Sequence, residues 1–159
     1  MKKIRNFAVL FALFGLCSIA SADLGINIHG FSIHSDKYDI NTGKKLENFN
    51  YGAGINYLFY KNGRNSLGLE AGIFRNSKDD AAEYGGLSYR FRIVSGFALG
   101  VGITAFNSSA VNDGKFAVAP LPLMTFRHNA FAFNVLYAPR LHNISRTALY
   151  TFYFTYYFR

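Results

Sequence analysis

Two neighbouring stretches constrain this chain more than any other part of it. Across residues 65–74, Leu67, Leu69, Ala71 and Ile73 are apolar, and Ser66, Gly68, Glu70 and Gly72 between them are small or polar. Across residues 81–93, Leu87, Tyr89, Phe91 and Ile93 alternate in the same way with Gly86, Ser88, Arg90 and Arg92. Strand side chains point to opposite faces with period two, so each stretch has one greasy face and one polar face. A soluble sandwich gives the same alternation. The polar face separates the two cases, because it carries Gly, Ser, Glu and Arg where a soluble sheet shows longer solvated chains. A narrow lumen needs small residues and paired charges, and Glu70 with Arg90 is the expected pair. The two stretches read as adjacent staves of a membrane barrel.

The front of the chain sets the compartment. Lys2, Lys3 and Arg5 precede an apolar run from Phe7 to Ile19, and Ala20-Ser21-Ala22 has the small-x-small form of a cleavage site. This is the pattern of a secretory signal peptide, expected over residues 1–22, and it is too short for a membrane-spanning helix. Cleavage after Ala22 leaves a barrel domain over residues 23–159 and removes Cys17, the only cysteine, so no disulfide is expected in the mature chain. Three of the 17 basic residues leave with the signal and none of the nine acids, lowering the formal charge from +8 to +5. A basic exported chain suits anionic lipid partners, and export argues against nucleic acid.

After Ala22 no apolar run approaches the ~20 residues of a helical span, which leaves a closed sheet as the only way across a bilayer. Barrel strands take about 9–11 residues, and eight are expected, near 24–34, 49–61, 65–74, 81–93, 96–106, 115–126, 130–138 and 148–158. Tight turns are marked by Lys61-Asn62-Gly63-Arg64 and Arg127-His128-Asn129, and a looser one by Asn112-Asp113-Gly114. In the last strand Tyr150, Phe152, Phe154, Tyr156 and Phe158 face one way, as an aromatic girdle would. With both termini in the periplasm, the loops over 35–48, 75–80, 107–114 and 140–146 face outward. His29 is in phase with Asn27 and points into the lumen, and Ser77 ends the third strand. A histidine near a serine has the makings of a base and a nucleophile for acyl transfer. The patterning alone favours the plainer reading, a lumen histidine and a loop serine. No role is assigned to His34, His128 or His142, and no spacing suggests a metal site.

Further residues carry a resemblance. Gly100-Val101-Gly102-Ile103-Thr104-Ala105, then Ala119-Pro120-Leu121-Pro122-Leu123, then Phe133 to Ala138 closing on Tyr137-Ala138-Pro139, resemble the second half of the PagP-type lipid A palmitoyltransferases. Ile28-His29-Gly30 resembles the family's Trp-His-Ala, and Phe74-Arg75-Asn76-Ser77 its Phe-Lys-Asp-Ser. The resemblance implies an eight-stranded outer-membrane barrel, acting as a monomer, that moves an acyl chain from a phospholipid to lipid A without cofactor or metal. It places the reactive residues at the outer rim, above a lumen pocket for the acyl chain. Carried over residue by residue, these are His29 as base, Asn76 as orienter and Ser77 as the hydroxyl. Ala98, Gly100 and Gly102 are then expected to line the pocket. Pro120, Pro122 and Pro139 either loosen pairing between strands six and seven, leaving an opening for lipid, or simply end strands, since proline gives no N–H to a ladder. Three departures stand out: Asn76 replaces the family's aspartate, the amphipathic helix ahead of the barrel has no counterpart, and all three prolines lie in the second half, with none near the family's other opening at the first two strands. The first favours the alternative of a non-catalytic structural, adhesive or lipid-binding barrel. The placement of His29 and Ser77 at one rim favours the acyltransferase.

Overall fold

The computed structural model describes residues 22–39, 42–140, 145 and 147–158. Residues 1–21 of the expected signal peptide, with His142 and Arg146, lie outside them. Eight strands follow in chain order: β1 Asp23–His34, β2 Phe49–Asn62, β3 Asn65–Arg75, β4 Ala81–Val94, β5 Phe97–Asn107, β6 Ala117–His128, β7 Phe131–Ala138 and β8 Leu149–Tyr157. Each pairs antiparallel with its sequence neighbours, and β8 closes on β1, giving a closed barrel. Among the described residues no helix is long and apolar enough to cross a membrane, and the only helical element is a 3-10 turn at Asn112–Gly114.

The expected faces are realised. Leu69, Ile73, Leu87, Tyr89, Phe91 and Ile93 point outward and stay exposed, as do Tyr150, Phe154 and Tyr156. An apolar surface that encircles a whole barrel needs lipid around it. At one end lie the first residue of β1, the last of β8 and short turns, two of them carrying Gly63 and Asn129 at positive φ. At the other end lie the longer loops after β1, β5 and β7.

Inside, an eight-stranded barrel is just wide enough for side chains to fill. Across the middle runs a closed ring of hydrogen bonds. Arg90 donates to Glu70 (2.5 Å), Ser88 (2.7 Å) and Thr125 (3.2 Å). Thr125 donates to Asn134, Asn134 to Thr155 and Thr155 to Asn27, at 2.7–2.9 Å. Asn27 returns to Glu70 at 3.1 Å. The expected Glu70–Arg90 ion pair is therefore present, with side chains 10% and 5% exposed. Six strands contribute to the ring, and it divides the lumen into two chambers.

Pairing is uneven in one place. β5 and β6 are in register from Phe106↔Ala117 to Phe97↔Phe126, yet β6 meets β7 only from Leu123↔Leu136 to His128↔Phe131. Pro120 and Pro122 lie in the part of β6 without a β7 partner, and Pro139 follows the last residue of β7. Each proline withholds an N–H, and pairing resumes only past them. The long-loop end is thus open sideways between β6 and β7 among the described residues. β1 and β2 remain paired up to Phe31↔Phe49.

Candidate functional site

The long-loop chamber is a cavity of about 130 Å³. Its walls include Phe74, Phe106, Leu121, Leu123, Leu136 and Leu149, and Ser77 lies among its lining residues. Below them, toward the ring, stand His29, Glu70, Tyr84 and Tyr153. His29 Nε2 is 2.8 Å from the Tyr84 hydroxyl, and its ring lies 5.0–5.8 Å from the rings of Tyr153, Tyr84 and Phe74. Tyr84 fits because two facing residues have no side chain: a Cβ on Gly54 would meet its hydroxyl at 2.4 Å, and one on Gly72 its ring at 2.7 Å.

Ser77 has a different histidine. Its Oγ is 2.6 Å from Nε2 of His34, and His34 Nδ1 is 3.0 Å from Oδ1 of Asn48. An amide oxygen only accepts, so the proton belongs on Nδ1 and the lone pair on Nε2 faces the serine hydroxyl. A hydroxyl, an imidazole and an orienting amide in this order form a serine–histidine–asparagine relay. The relay is also held in place: the Glu47 N–H donates to the Ser77 carbonyl at 3.0 Å, and Lys78 pairs with Asp39 at 3.2 Å, tying the β1–β2 loop to the β3–β4 turn. Across the mouth, Arg140 pairs with Asp36. The hydroxyl of Ser35, then Thr147 and Arg140, hold the Asp36 carboxyl below the usual carboxylate range.

Asn76 sits beside Ser77 in sequence but does not touch the relay. Its Nδ2 donates to Ser108 and Ser109 at 3.0 Å each, and its Oδ1 accepts the Lys78 and Asp80 N–H groups at 2.8 and 3.2 Å. All four of its hydrogen-bond positions are used, so it shapes the turn that presents Ser77. The pairing expected between His29 and Ser77 is replaced by His34 and Ser77. The physical reason is a register shift between His29 and Phe31. Before it Asn27 and His29 face inward; after it Ser32 is buried and Phe31 is exposed, so His34 also turns toward the lumen side. Strict alternation would have sent His34 to the lipid. His29 lies five residues deeper, about 16 Å at the strand rise.

The expected pocket residues divide. Gly102 and Pro139 line the long-loop cavity. Ala98 lines the other chamber, beyond the ring, and Gly100 lies opposite Arg90. Pro120 and Pro122 face outward on β6, so they border the lateral opening and not the cavity. Among the described residues no three His, Asp or Glu side chains converge as a metal site would require.

The sequence model described as "Antimicrobial peptide resistance and lipid A acylation protein PagP" matches residues 19–154. The chain belongs to the PagP family. It is an outer-membrane β-barrel of that family, as the resemblance implied. No curated protein sequence matches it. Among solved structures this PagP-family barrel is similar to the Yersinia pestis outer membrane protein Ail in a phospholipid bilayer nanodisc. That match has 16% identity and a TM-score of 0.47, over 87% of this chain and 100% of the other. It is also similar to crystalline Ail, the attachment invasion locus protein of Yersinia pestis, at 16% identity and a TM-score of 0.43, over 86% of this chain and 97% of the other.

Proposed function

We propose that this PagP-family barrel transfers an acyl chain from a phospholipid to lipid A, with its long-loop end at the outer leaflet. The observation that supports this most is the 2.6 Å contact of Ser77 Oγ with His34 Nε2 at the mouth of an apolar cavity. His34 Nε2 takes the proton as Ser77 Oγ attacks the carbonyl carbon of the phospholipid ester. The bond from that carbon to the glycerol oxygen breaks, and the imidazolium protonates the departing lysophospholipid. A lipid A hydroxyl then attacks the acyl–Ser77 ester, giving its proton to His34, and the Ser77 oxygen leaves with that proton. The scheme uses neither metal nor cofactor. The tail lies in the cavity, and the gap bordered by Pro120, Pro122 and Pro139 is the way in from the membrane.

Two predictions arise from this geometry. Asn48 holds the imidazole but carries no charge to stabilise it once protonated. In serine-protease triads the swap of aspartate for a neutral amide costs about ten-thousandfold in turnover. Asn48→Asp is therefore expected to raise kcat about tenfold or more and Asn48→Ala to lower it about tenfold, as read from initial rates. Second, a Cβ on Gly102 would meet Thr104 Oγ1 at 3.2 Å and no backbone atom closer than 3.8 Å, so a larger side chain fits there and enters the cavity. Gly102→Leu is expected to shift preference to shorter acyl chains, read by competing phospholipids of two chain lengths.

The direct test mixes the refolded protein with a dipalmitoyl phospholipid and lipid A in detergent. Equal amounts of lysophospholipid and acylated lipid A, with ping-pong kinetics, are expected. A folded protein that makes neither product would leave the non-catalytic lipid-binding barrel as the better account.

A further inference from the structure

The chamber on the short-turn side of the ring has a different character. It is a cavity of about 350 Å³ whose lining includes Lys61, Arg64, Arg92 and Arg127, together with Arg90 from the ring. Glu70 already compensates Arg90. Of the other four cations, Lys61 and Arg127 share the single carboxylate of Asp23, at 2.7 and 2.8 Å. Arg127 also lies over the Tyr157 ring at 4.0 Å, which fixes its plane. Arg92 gives one N–H to the Gly63 carbonyl at 2.9 Å, and among the described residues no side-chain partner holds Arg64. Four positive charges against one negative leave a formal +3 at this mouth.

The placement separates this cluster from an ordinary solvated rim. Arg64 is in the β2–β3 turn, Arg92 on β4 and Arg127 on β6, yet all line one concavity. Like charges gathered at a low-dielectric wall repel each other and focus a field that an anion relieves. Guanidinium forks match the oxygens of a phosphate two at a time. Ser66 and Asn129 add neutral polar groups to the same lining. We propose that this chamber is a binding site for a phosphate-type oxyanion, separate from the acyl site and screened from it by the Glu70–Arg90 ring.

The shared chemistry has two sources, a free phosphate group and a lipid headgroup. The test therefore has two arms, each run on the refolded full barrel. In octyl glucoside, calorimetric titration with inorganic phosphate is expected to show saturable binding. Arg64→Ser with Arg92→Ser is expected to weaken it at least about tenfold, the loss of one charge-assisted bond or more. Lys37→Ser, in a loop at the other end, is expected to leave it unchanged. In the second arm the Arg64 side-chain NMR signal is compared between phosphatidylcholine and phosphatidylglycerol bilayers without added phosphate. Binding in the first arm assigns the site to a free phosphate group; a shift confined to phosphatidylglycerol assigns it to a headgroup. No saturable heat and no shift, or binding that survives in the double variant, overturns the proposal. Arg64→Ser alone removes no described side-chain contact, so a folded variant is available in any event.

Discussion

His34→Ala is expected to lower acyl-transfer turnover about ten-thousandfold or more, since loss of the histidine from a serine-protease triad costs roughly a millionfold. Among the described residues His34 is the one histidine within hydrogen-bond reach of Ser77, so its loss leaves the hydroxyl without that base. His29→Ala is expected to stay within about tenfold of the parent, because His29 touches Tyr84 and aromatic rings and not the serine. The two variants are compared by initial rates on refolded protein with equal strand content. Ser77→Ala should match His34→Ala, and the double variant should add little, since residues acting as one unit are not additive. A large loss in His29→Ala with His34→Ala near parental activity would return the base to the deeper histidine.

The second large effect concerns the ring. Removing one partner of a buried ion pair strands the other charge, at a cost of about 3–5 kcal/mol. Glu70→Ala is therefore expected to destabilise the barrel by about that amount in urea unfolding from lipid vesicles. The carboxylate also accepts from Asn27 and Tyr153, which lose their partner as well. Replacing both charges, Glu70→Met with Arg90→Met, should recover most of the loss, as apolar pairs of similar volume do. A single variant costing less than about 1 kcal/mol would show that the ring contributes little to stability.

The barrel was legible because lipid outside and a narrow lumen inside write the same period-two pattern on every strand. The alternation of Leu67 to Ile73 against Ser66 to Gly72, with that of Leu87 to Ile93 against Gly86 to Arg92, predicted both staves and the Glu70–Arg90 pair. Strand ends moved by no more than about two residues. The site was less legible, and the reason is local. Alternation extrapolates only as far as the register holds, and the shift after His29 reverses the phase for Ser32 and His34. Gly30 was the available sign, since an isolated glycine inside a strand marks a bulge. Asn48 was out of reach because a loop brings it to His34 from fourteen residues away. Ala98 was misplaced by treating β5 as one continuous wall, although the ring crossing near Gly100 divides that wall between two chambers.

The measurement that tests the central claim most directly is a mass spectrum of lipid A from cells expressing this chain, beside cells carrying His34→Ala. The account predicts lipid A heavier by one acyl chain with the parent protein, and no such species with the variant. Unchanged lipid A from cells whose outer membrane holds the folded parent barrel would contradict it.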